Sequence, residues 1–301
     1  MVPLLPLTPC QSTLNPFERR SEPAGHRFAE PDAVTTAARR LGVWAEIIGE
    51  QIAYRELLVQ MIRRDLLIRY KQTAMGFGWA VFMPLVNTAV FSIIFTRVAP
   101  IDVGMPYPLF AFSGLLLWNF FAAALRFSVT SLTGNPSLVT KVYFPREIFP
   151  FSAVVVSFVD TIVASALLVA LLAYYQTGIG WSILLLPIVL AVLVMFTTAI
   201  ALILAMANLF YRDVKYLFEI VISVWMFATS VIYPLDRLEG RLGAVLSLNP
   251  MTHCIDAFRA IVIEQRAPSP MFGATALVTA CLLATAWLLF HRAESDFAEN
   301  L

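Results

Sequence analysis

The chain has 301 residues, of which 59% are hydrophobic and only 14% are charged, and its mean hydropathy is +0.77. A soluble domain has roughly 45–50% apolar and about 25% charged residues, so the composition excludes a soluble globular protein and predicts an all-α polytopic membrane protein. The net charge of +1 gives no support to a nucleic-acid-binding protein, which needs a basic excess.

The N-terminal part divides at about residue 42. Residues 1–41 contain six prolines and no apolar run that could span a membrane, so we expect a disordered cytoplasmic tail. Over residues 42–75, apolar residues such as Trp44, Ile48 and Met61 recur at helical spacing, and basic residues fill the remaining positions. This pattern predicts an amphipathic helix in the membrane interface. A solvated helix that packs on a partner is the alternative.

Six apolar segments follow, each about the 20 residues that a membrane-spanning helix needs. We expect them at approximately Phe77–Val98, Leu109–Ser131, Phe149–Tyr175, Ser182–Phe210, Val214–Ile232 and Met271–Phe290. Together they make residues 76–292 a six-span transmembrane domain, and residues 293–301 form a short C-terminal tail.

Lysine and arginine are divided unequally between the two sets of loops. Of the 21 basic residues, 16 lie in the N-terminal part, after the second and fourth spans and in the C-terminal tail, and five lie in the other loops. Cytoplasmic loops carry the excess of basic residues. We therefore expect both termini in the cytoplasm.

Motifs of enzymatic chemistry are missing. The three cysteines and three histidines are scattered, which supports neither a disulfide framework nor a metal site. The three lysines, Lys71, Lys141 and Lys215, lack the preceding glycine of a P-loop. We expect no catalytic residue and no cofactor in this chain, and any ATP must be hydrolysed by a partner.

Two basic turns are expected on the cytoplasmic side. The first is Lys141-Val142-Tyr143-Phe144-Pro145-Arg146-Glu147, whose aromatic side chains we expect to be exposed among charges. Aromatic and arginine anchors dominate the binding energy of many interfaces, so this turn suits docking to an ATPase subunit. An interfacial anchor at headgroup level is the alternative. The second turn is Tyr211-Arg212-Asp213-Val214-Lys215, either a further part of that interface or a basic loop with a local Arg–Asp pair.

Asp160 is the acidic residue near the middle of a predicted span. A charge at that depth costs about 2.5–3.5 kcal/mol, so Asp160 must pair, take up a proton or face the bundle interior. Arg126 is the nearest candidate partner by chain order, although it lies towards the inner end of its span. Asp160 therefore either lines a polar conduit or is a hydrogen-bonded packing acid.

The outer loop between the fifth and sixth spans carries a second amphipathic pattern. Asn249-Pro250 precedes four apolar residues on one helical face: Met251, Ile255, Phe258 and Val262. Asp256 and Arg259 lie three residues apart on the other face, where they can pair. The segment is too short to span, so we expect a re-entrant helix whose charges face a watery vestibule. A static outer cap is the alternative.

Four stretches resemble type-2 ABC exporter permeases, in the family's order: LLIRYKQTAMGFGWAVFMPL (Leu66–Leu85), NPSLVTKVYFPREIFP (Asn135–Pro150), NLFYRDVKYL (Asn208–Leu217) and NPMTHCIDAFRAIVI (Asn249–Ile263). They are similar to the branch that exports lipid-linked polysaccharides such as O-antigens, capsules and teichoic acids. The likeness covers about residues 42–292.

The resemblance implies a homodimer of six-span permeases in the bacterial inner membrane, resting on two copies of an ABC ATPase that binds ATP and Mg. It also implies an interface helix, a coupling helix after the second span and gate helices between the fifth and sixth. The expected substrate is an undecaprenyl-diphosphate-linked polysaccharide. Residues expected to line its conduit or gate are Asp160, Trp118, Tyr107, Tyr233, Met251, Asp256, Phe258 and Arg259, although aromatic residues also fill ordinary membrane cores.

Three other functions stay open from the sequence. An exporter of drugs or small lipids would share the same mechanics. A membrane-embedded lipid-linked sugar transferase would need clustered acids or a histidine pair at the membrane face, and this chain offers dispersed ones. An ATP-independent channel or carrier would not need the two docking turns.

Overall fold

The computed structural model describes residues 49–71, 73, 75–76, 78–98, 100, 103–141, 144–178, 180–234, 241–294 and 297. Helix is the regular structure found in these ranges, which confirms the all-α prediction. The helices are α1 Arg55–Tyr70, α2 Gly78–Ile93, α3 Tyr107–Val129, α4 Pro136–Lys141, α5 Ile148–Tyr174, α6 Leu186–Phe210, α7 Val214–Phe227, α8 Arg241–Leu246, α9 Pro250–Val262 and α10 Pro270–Ala293. A π-helical turn, Ile94–Val98, extends α2, and a 3₁₀ turn, Trp181–Leu185, precedes α6.

Five helical segments among the described residues are long and apolar enough to cross a membrane. They are Gly78–Val98, Tyr107–Val129, Ile148–Tyr174, Trp181–Phe210 and Pro270–Ala293. Their ends lie within three residues of the predicted ends. The chain is therefore a multi-pass membrane protein.

The remaining predicted span, Val214–Ile232, is represented by a shorter helix. With 14 residues, α7 rises about 21 Å at 1.5 Å per residue, which is short of the ~30 Å hydrocarbon core. The helix ends because the chain turns after Phe227. The N–H of Ala228 donates to the carbonyl oxygens of Val224 and Trp225 and so completes the last turn. A sixth span stays a prediction.

Helix α3 lies at the centre of the bundle. Its fully buried side chains include Phe112, Leu117, Phe121 and Leu125, and it packs against α2, α5, α6, α7 and α9. By contrast, α2 leaves most of its apolar side chains exposed, among them Phe82, Met83 and Val90. In a bilayer such a surface faces either lipid tails or another protein.

Helix α1 packs along the first half of α5 with polar contacts. Ser152 donates to Asp65 Oδ2 at 3.3 Å, and Arg69 pairs with Asp160. The side chains of Leu67 and Ile68 point away from the protein and are 52% and 74% exposed. Met61, by contrast, is buried in a core of the bundle, so α1 has apolar side chains both inside the bundle and on its surface, and its place in the membrane interface stays a prediction. Trp44 and Ile48, predicted to face lipid, lie outside the described residues.

Candidate functional site

The first predicted turn is packed against the protein. Phe144 is only 5% exposed, and its ring centroid lies 5.5 Å from that of Phe149. The prediction that Phe144 exposes apolar surface is therefore wrong. At Pro145 the chain reverses into α5, and this reversal places the ring in a core built from the ends of α1, α4, α5, α6 and α10. Tyr143 and the side chain of Lys141 lie outside the described residues.

Arg146 ties this turn to the end of α10. Its backbone N–H donates to Glu294 Oε1 at 2.9 Å, and its guanidinium donates to the carbonyl oxygens of Glu294 and Val139. The Arg146 side chain is 17% exposed. Arg146 thus holds two helix ends together, and little of it remains for a partner protein.

Glu147 is the most deeply buried acid of the turn, at 1% exposure. It accepts hydrogen bonds from Gln51 Nε2 at 2.7 Å and Trp287 Nε1 at 3.1 Å, and His291 Nδ1 lies 3.5 Å away. Single ligand atoms of Glu147, His291 and Glu294 lie within 4.8 Å of one another. Because N–H donors already occupy both carboxylates, this is a hydrogen-bonded cluster that joins residue 51, α5 and α10.

Burial raises the pKa of Glu147 from its ordinary 4.5 to about 7, and it also raises the pKa of Glu294. Between pH 4.5 and about pH 7, the folded protein keeps a proton on Glu147 that the unfolded chain releases. Stability should therefore fall as the pH rises from 4.5 to about 7 and stay low above it.

We expect Glu147→Gln to remove the part of this pH dependence that comes from Glu147, because the amide carries no charge and Gln51 can turn its carboxamide to accept. At pH 8 the variant should gain about 3 kcal/mol of unfolding free energy over the parent, and at pH 5 the two should agree to within about 1 kcal/mol. Unfolding titrations in detergent at both pH values measure this. A gain of equal size at pH 5 and pH 8 would contradict a titrating Glu147.

The second predicted turn is exposed. Tyr211 is 73% exposed, and Arg212, Asp213 and Lys215 are also exposed. The Lys215 ammonium lies 4.8 Å from the ring centroid of Tyr216. This surface combines aromatic rings with two cations, the composition predicted for a docking site.

A cleft of about 410 Å³ lies beside the second turn, where the ends of α3 and α6 meet the starts of α4 and α7. It is lined by Thr130, Thr133, Pro136, Asn208, Leu209, Arg212 and Lys215. Asn208 forms its floor and donates to the carbonyl oxygen of Val129 at 2.8 Å and to Thr133 Oγ1 at 3.3 Å. Asn208 begins the third stretch that resembles the permease family, but no role was predicted for it. Its signal was a carboxamide in the last turn of a span, where a buried polar group needs a partner.

The segment predicted to lie on the outer side forms the predicted helix, α9. Asn249 caps α9, since its side chain accepts from the N–H of Met251 at 3.1 Å, and Pro250 occupies the first helical position. The apolar face is buried: Met251, Ile255, Phe258 and Val262 are 8% exposed or less.

Arg259 is buried instead of facing water, so that prediction is wrong. It is 3% exposed; its guanidinium donates to the carbonyl oxygens of Ser230, Val231 and Phe110 at 2.6, 2.8 and 3.1 Å and lies 3.6 Å from the Phe110 ring centroid. The turn after α7 leaves its carbonyl oxygens outside any helix, and Arg259 satisfies them. Asp256 keeps a 49% exposed side chain and pairs with Arg259 at 3.5 Å, as predicted.

The aromatic residues predicted for the conduit are mostly packing residues in the single chain. Trp118 is 4% exposed, and its ring centroid lies 5.6 Å from that of Phe121. Tyr107 is 4% exposed and donates to the carbonyl oxygen of Ile232 at 2.8 Å. Tyr233 is only partly buried. Tyr107 therefore supports the same irregular turn as Arg259, from the start of α3.

Asp160 pairs with residues of α1. It forms an ion pair with Arg69 and accepts from the Tyr70 hydroxyl at 2.5 Å. The partner suggested by chain order, Arg126, instead pairs with Glu219 at 3.1 Å. Chain order did not identify this pair, because Arg69 comes close to Asp160 only when α1 packs along α5.

Similarity to known proteins agrees with this arrangement. The profile of the family described as ABC-2 type transporter matches residues 56–263. The chain belongs to this family. The match runs from α1 through α9 and therefore includes both turns, the cleft and the outer helix.

Three relatives carry the name O-antigen export system permease protein RfbA. The one from Myxococcus xanthus is 31% identical over 259 residues, which cover 85% of this chain and 99% of the relative. Two from Klebsiella pneumoniae are 27% identical over 211 residues, covering 69% of this chain and 81% of the relative, and 25% identical over 250 residues, covering 82% and 95%.

Proposed function

We propose that this ABC-2 family member is the membrane permease of an ATP-driven exporter that carries a lipid-linked polysaccharide of the O-antigen type across the bacterial inner membrane. The supporting observation is the similarity that extends over 99% of an O-antigen export permease. In this proposal two copies of the chain act with two copies of an ABC ATPase, which binds the ATP and Mg.

The proposed topology has six spans and both termini in the cytoplasm. In support, residue 51, the ends of α3 and α6, and the end of α10 meet at one end of the bundle through the contacts of Glu147, Asn208 and Arg146. Helix α7 would complete the count. In this proposal its 14 helical residues and the turn held by Arg259 would together reach the outer face.

The proposed interface with the ATPase is the cleft beside the second turn. Arg212 and Lys215 line it and are exposed, whereas Phe144 and Arg146 are held inside. Force from the ATPase would reach the bundle through Asn208, which ties the end of α6 to the end of α3.

We expect the double substitution Arg212→Glu and Lys215→Glu to weaken ATPase binding at least about tenfold, because two charge-assisted contacts contribute more than about 1.4 kcal/mol together. Co-purification of the ATPase with the tagged chain, at equal membrane levels of the chain, measures this. Arg97→Glu is the matched control, since Arg97 is an exposed arginine just beyond α2. Equal ATPase recovery in all three proteins would refute the cleft as the interface.

Export itself tests the proposed function. Cells that lack the chain should accumulate lipid-linked polysaccharide on the cytoplasmic side, and the reintroduced chain with its ATPase should return the polymer to the cell surface. Antibody labelling of intact and permeabilised cells separates the two locations. Normal surface polysaccharide without the chain, or purified chain that hydrolyses ATP alone, would reject the proposal.

A further inference from the structure

A cavity of about 570 Å³ lies between α1, α2, α3 and α5, away from the cleft and from the outer helix. This size falls within the ~300–1,000 Å³ range of small-molecule pockets. Its walls are mainly apolar, from residues such as Met83, Leu116 and Phe120. Tyr70, Asn87, Asn119 and Asp160 add polar groups to this lining.

Two of these polar groups have no hydrogen-bond partner among the described residues. Asn87 is an exposed residue of α2 and Asn119 is a half-buried residue of α3. Both lie inside membrane-spanning segments, and neither carboxamide bonds to a described part of the chain. A carboxamide offers two donors and two lone pairs, and a membrane span supplies little water to satisfy them. Two such groups on one cavity leave donors and acceptors that a polar ligand can bond.

The charges of the cavity narrow the choice of occupant. Asp160 and Arg69 form an ion pair, so their charges cancel and neither an anion nor a cation gains much from entering. Neutral groups that both donate and accept remain, which are hydroxyls and amides. The Trp79 ring, 39% exposed, stands on the lining in the first turn of α2, and an aromatic face suits the C–H face of a sugar ring.

The position of the cavity in the membrane suits a ligand that carries a hydrocarbon tail. Trp79 and Asn87 are eight residues apart in one helix, which is about 12 Å along its axis, so the cavity reaches from the end of a span towards mid-membrane. The neighbouring surfaces of α2, including Phe82 and Val86, are exposed and apolar. A headgroup in the cavity would place its hydrocarbon tail against them.

We propose that this cavity binds the glycosyl headgroup of a membrane lipid, with Asn87 and Asn119 bonding sugar hydroxyls and Trp79 covering one ring face. The assignment rests on the proposed function only for the identity of that lipid. The transported lipid-linked glycan and a resident glycolipid offer the same headgroup chemistry.

A photo-crosslinking experiment tests the site. The full chain with its ATPase is placed in phosphatidylcholine nanodiscs and labelled with dodecyl maltoside that carries a diazirine in its alkyl chain; dodecylphosphocholine with the same diazirine is the comparison probe. We expect the maltoside to label α2 and α3 near the cavity, and we expect excess plain maltoside to displace it.

The variant Asn87→Leu with Asn119→Leu should weaken maltoside labelling about tenfold, which matches the loss of two neutral hydrogen bonds. Its unfolding midpoint should stay equal or rise, because two unpaired amides leave the membrane span. Thr285→Val is the control, since Thr285 is an exposed polar residue of α10 whose hydroxyl, within the described part of the chain, bonds its own helix through the carbonyl oxygen of Cys281. A variant that loses labelling together with stability would point to structural amides and overturn the proposal.

Further outcomes decide the remaining readings. Equal labelling by both probes would overturn the sugar assignment in favour of any amphiphile. A disulfide between Asn87→Cys residues of two chains, with no probe labelling, would show that a second copy covers the cavity. Competition by an undecaprenyl-diphosphate-linked glycan alone identifies the transported lipid, and competition by diglucosyl diacylglycerol as well identifies a general glycolipid site. If cells export the polysaccharide but no sugar lipid competes with the probe, this inference is refuted and the proposed function stands. If sugar lipids compete but the chain supports no export, the cavity assignment stands and the proposed function is refuted.

Discussion

Replacing Arg259 by methionine should lower the free energy of unfolding by about 3–5 kcal/mol, because the buried carbonyl oxygens of Ser230 and Val231 lose their donor and each such loss costs about 1–3 kcal/mol. Both oxygens lie 2.6–2.8 Å from the guanidinium. They belong to the turn after α7, where no helical N–H replaces Arg259. Denaturant titration of the purified chain measures the change.

Arg266→Met is the matched control for Arg259. Arg266 lies seven residues later with a 60% exposed side chain, and Glu264 is its ion-pair partner among the described residues. Surface ion pairs contribute about 0–1 kcal/mol, so this variant should unfold close to the parent. Arg259→Lys should recover little, because an ammonium cannot reproduce the fork that serves several carbonyl oxygens. Equal destabilisation by Arg259→Met and Arg266→Met would show that burial of Arg259 contributes nothing.

Replacing Gly114 by alanine should cost about 2–3 kcal/mol through overpacking. A Cβ atom built on Gly114 would lie 2.4 Å from the carbonyl oxygen of Val231 and 2.5 Å from Arg259 Nη2. The first neighbour is backbone and the second is fixed by four hydrogen bonds. Neither can move away without breaking the turn.

Gly273→Ala separates this clash from the general effect of a helical glycine. Gly273 also lies in a spanning helix, and nothing stands within 4 Å of a Cβ atom built there. Alanine should therefore stabilise α10 by up to about 0.5–1 kcal/mol. The unfolding free energies of the two variants should move in opposite directions. Equal shifts in the same direction would contradict the close approach at Gly114.

Gly114→Ala and Arg259→Met act on one contact, so their effects on the free energy of unfolding should not add. Gly114, Val231 and Arg259 lie within van der Waals distance of each other, and changes that share partners are coupled. A double variant with a cost well below the sum would place α3, the turn after α7 and α9 in one cooperative unit. In the proposed exporter, α9 would then move only together with the outer end of α7.

Particular residues show what a sequence determines in a membrane protein. The lengths of five spans follow from apolar runs, because a bilayer admits no exposed backbone and forces each run into helix. The start of α9 follows from Asn249-Pro250, and its buried face from helical spacing at Met251, Ile255, Phe258 and Val262. These are local properties, since caps and periodicity lie within one segment.

Side-chain partners were decided by the tertiary structure. Asp160 and Arg69 are 91 residues apart, and no local pattern indicates that α1 returns along α5. Arg259 looked like a solvent-facing residue by periodicity, yet the turn after α7 supplies carbonyl oxygens that draw it inside. Phe144 looked exposed because charges flank it, but the reversal at Pro145 buries it in a core from five helix ends. Composition and periodicity therefore determined that the chain lies in a membrane, where its helices are and which faces are apolar. The long-range contacts between polar groups followed from how those helices pack. The reason is that a buried polar group takes whichever partner the fold brings within hydrogen-bond distance.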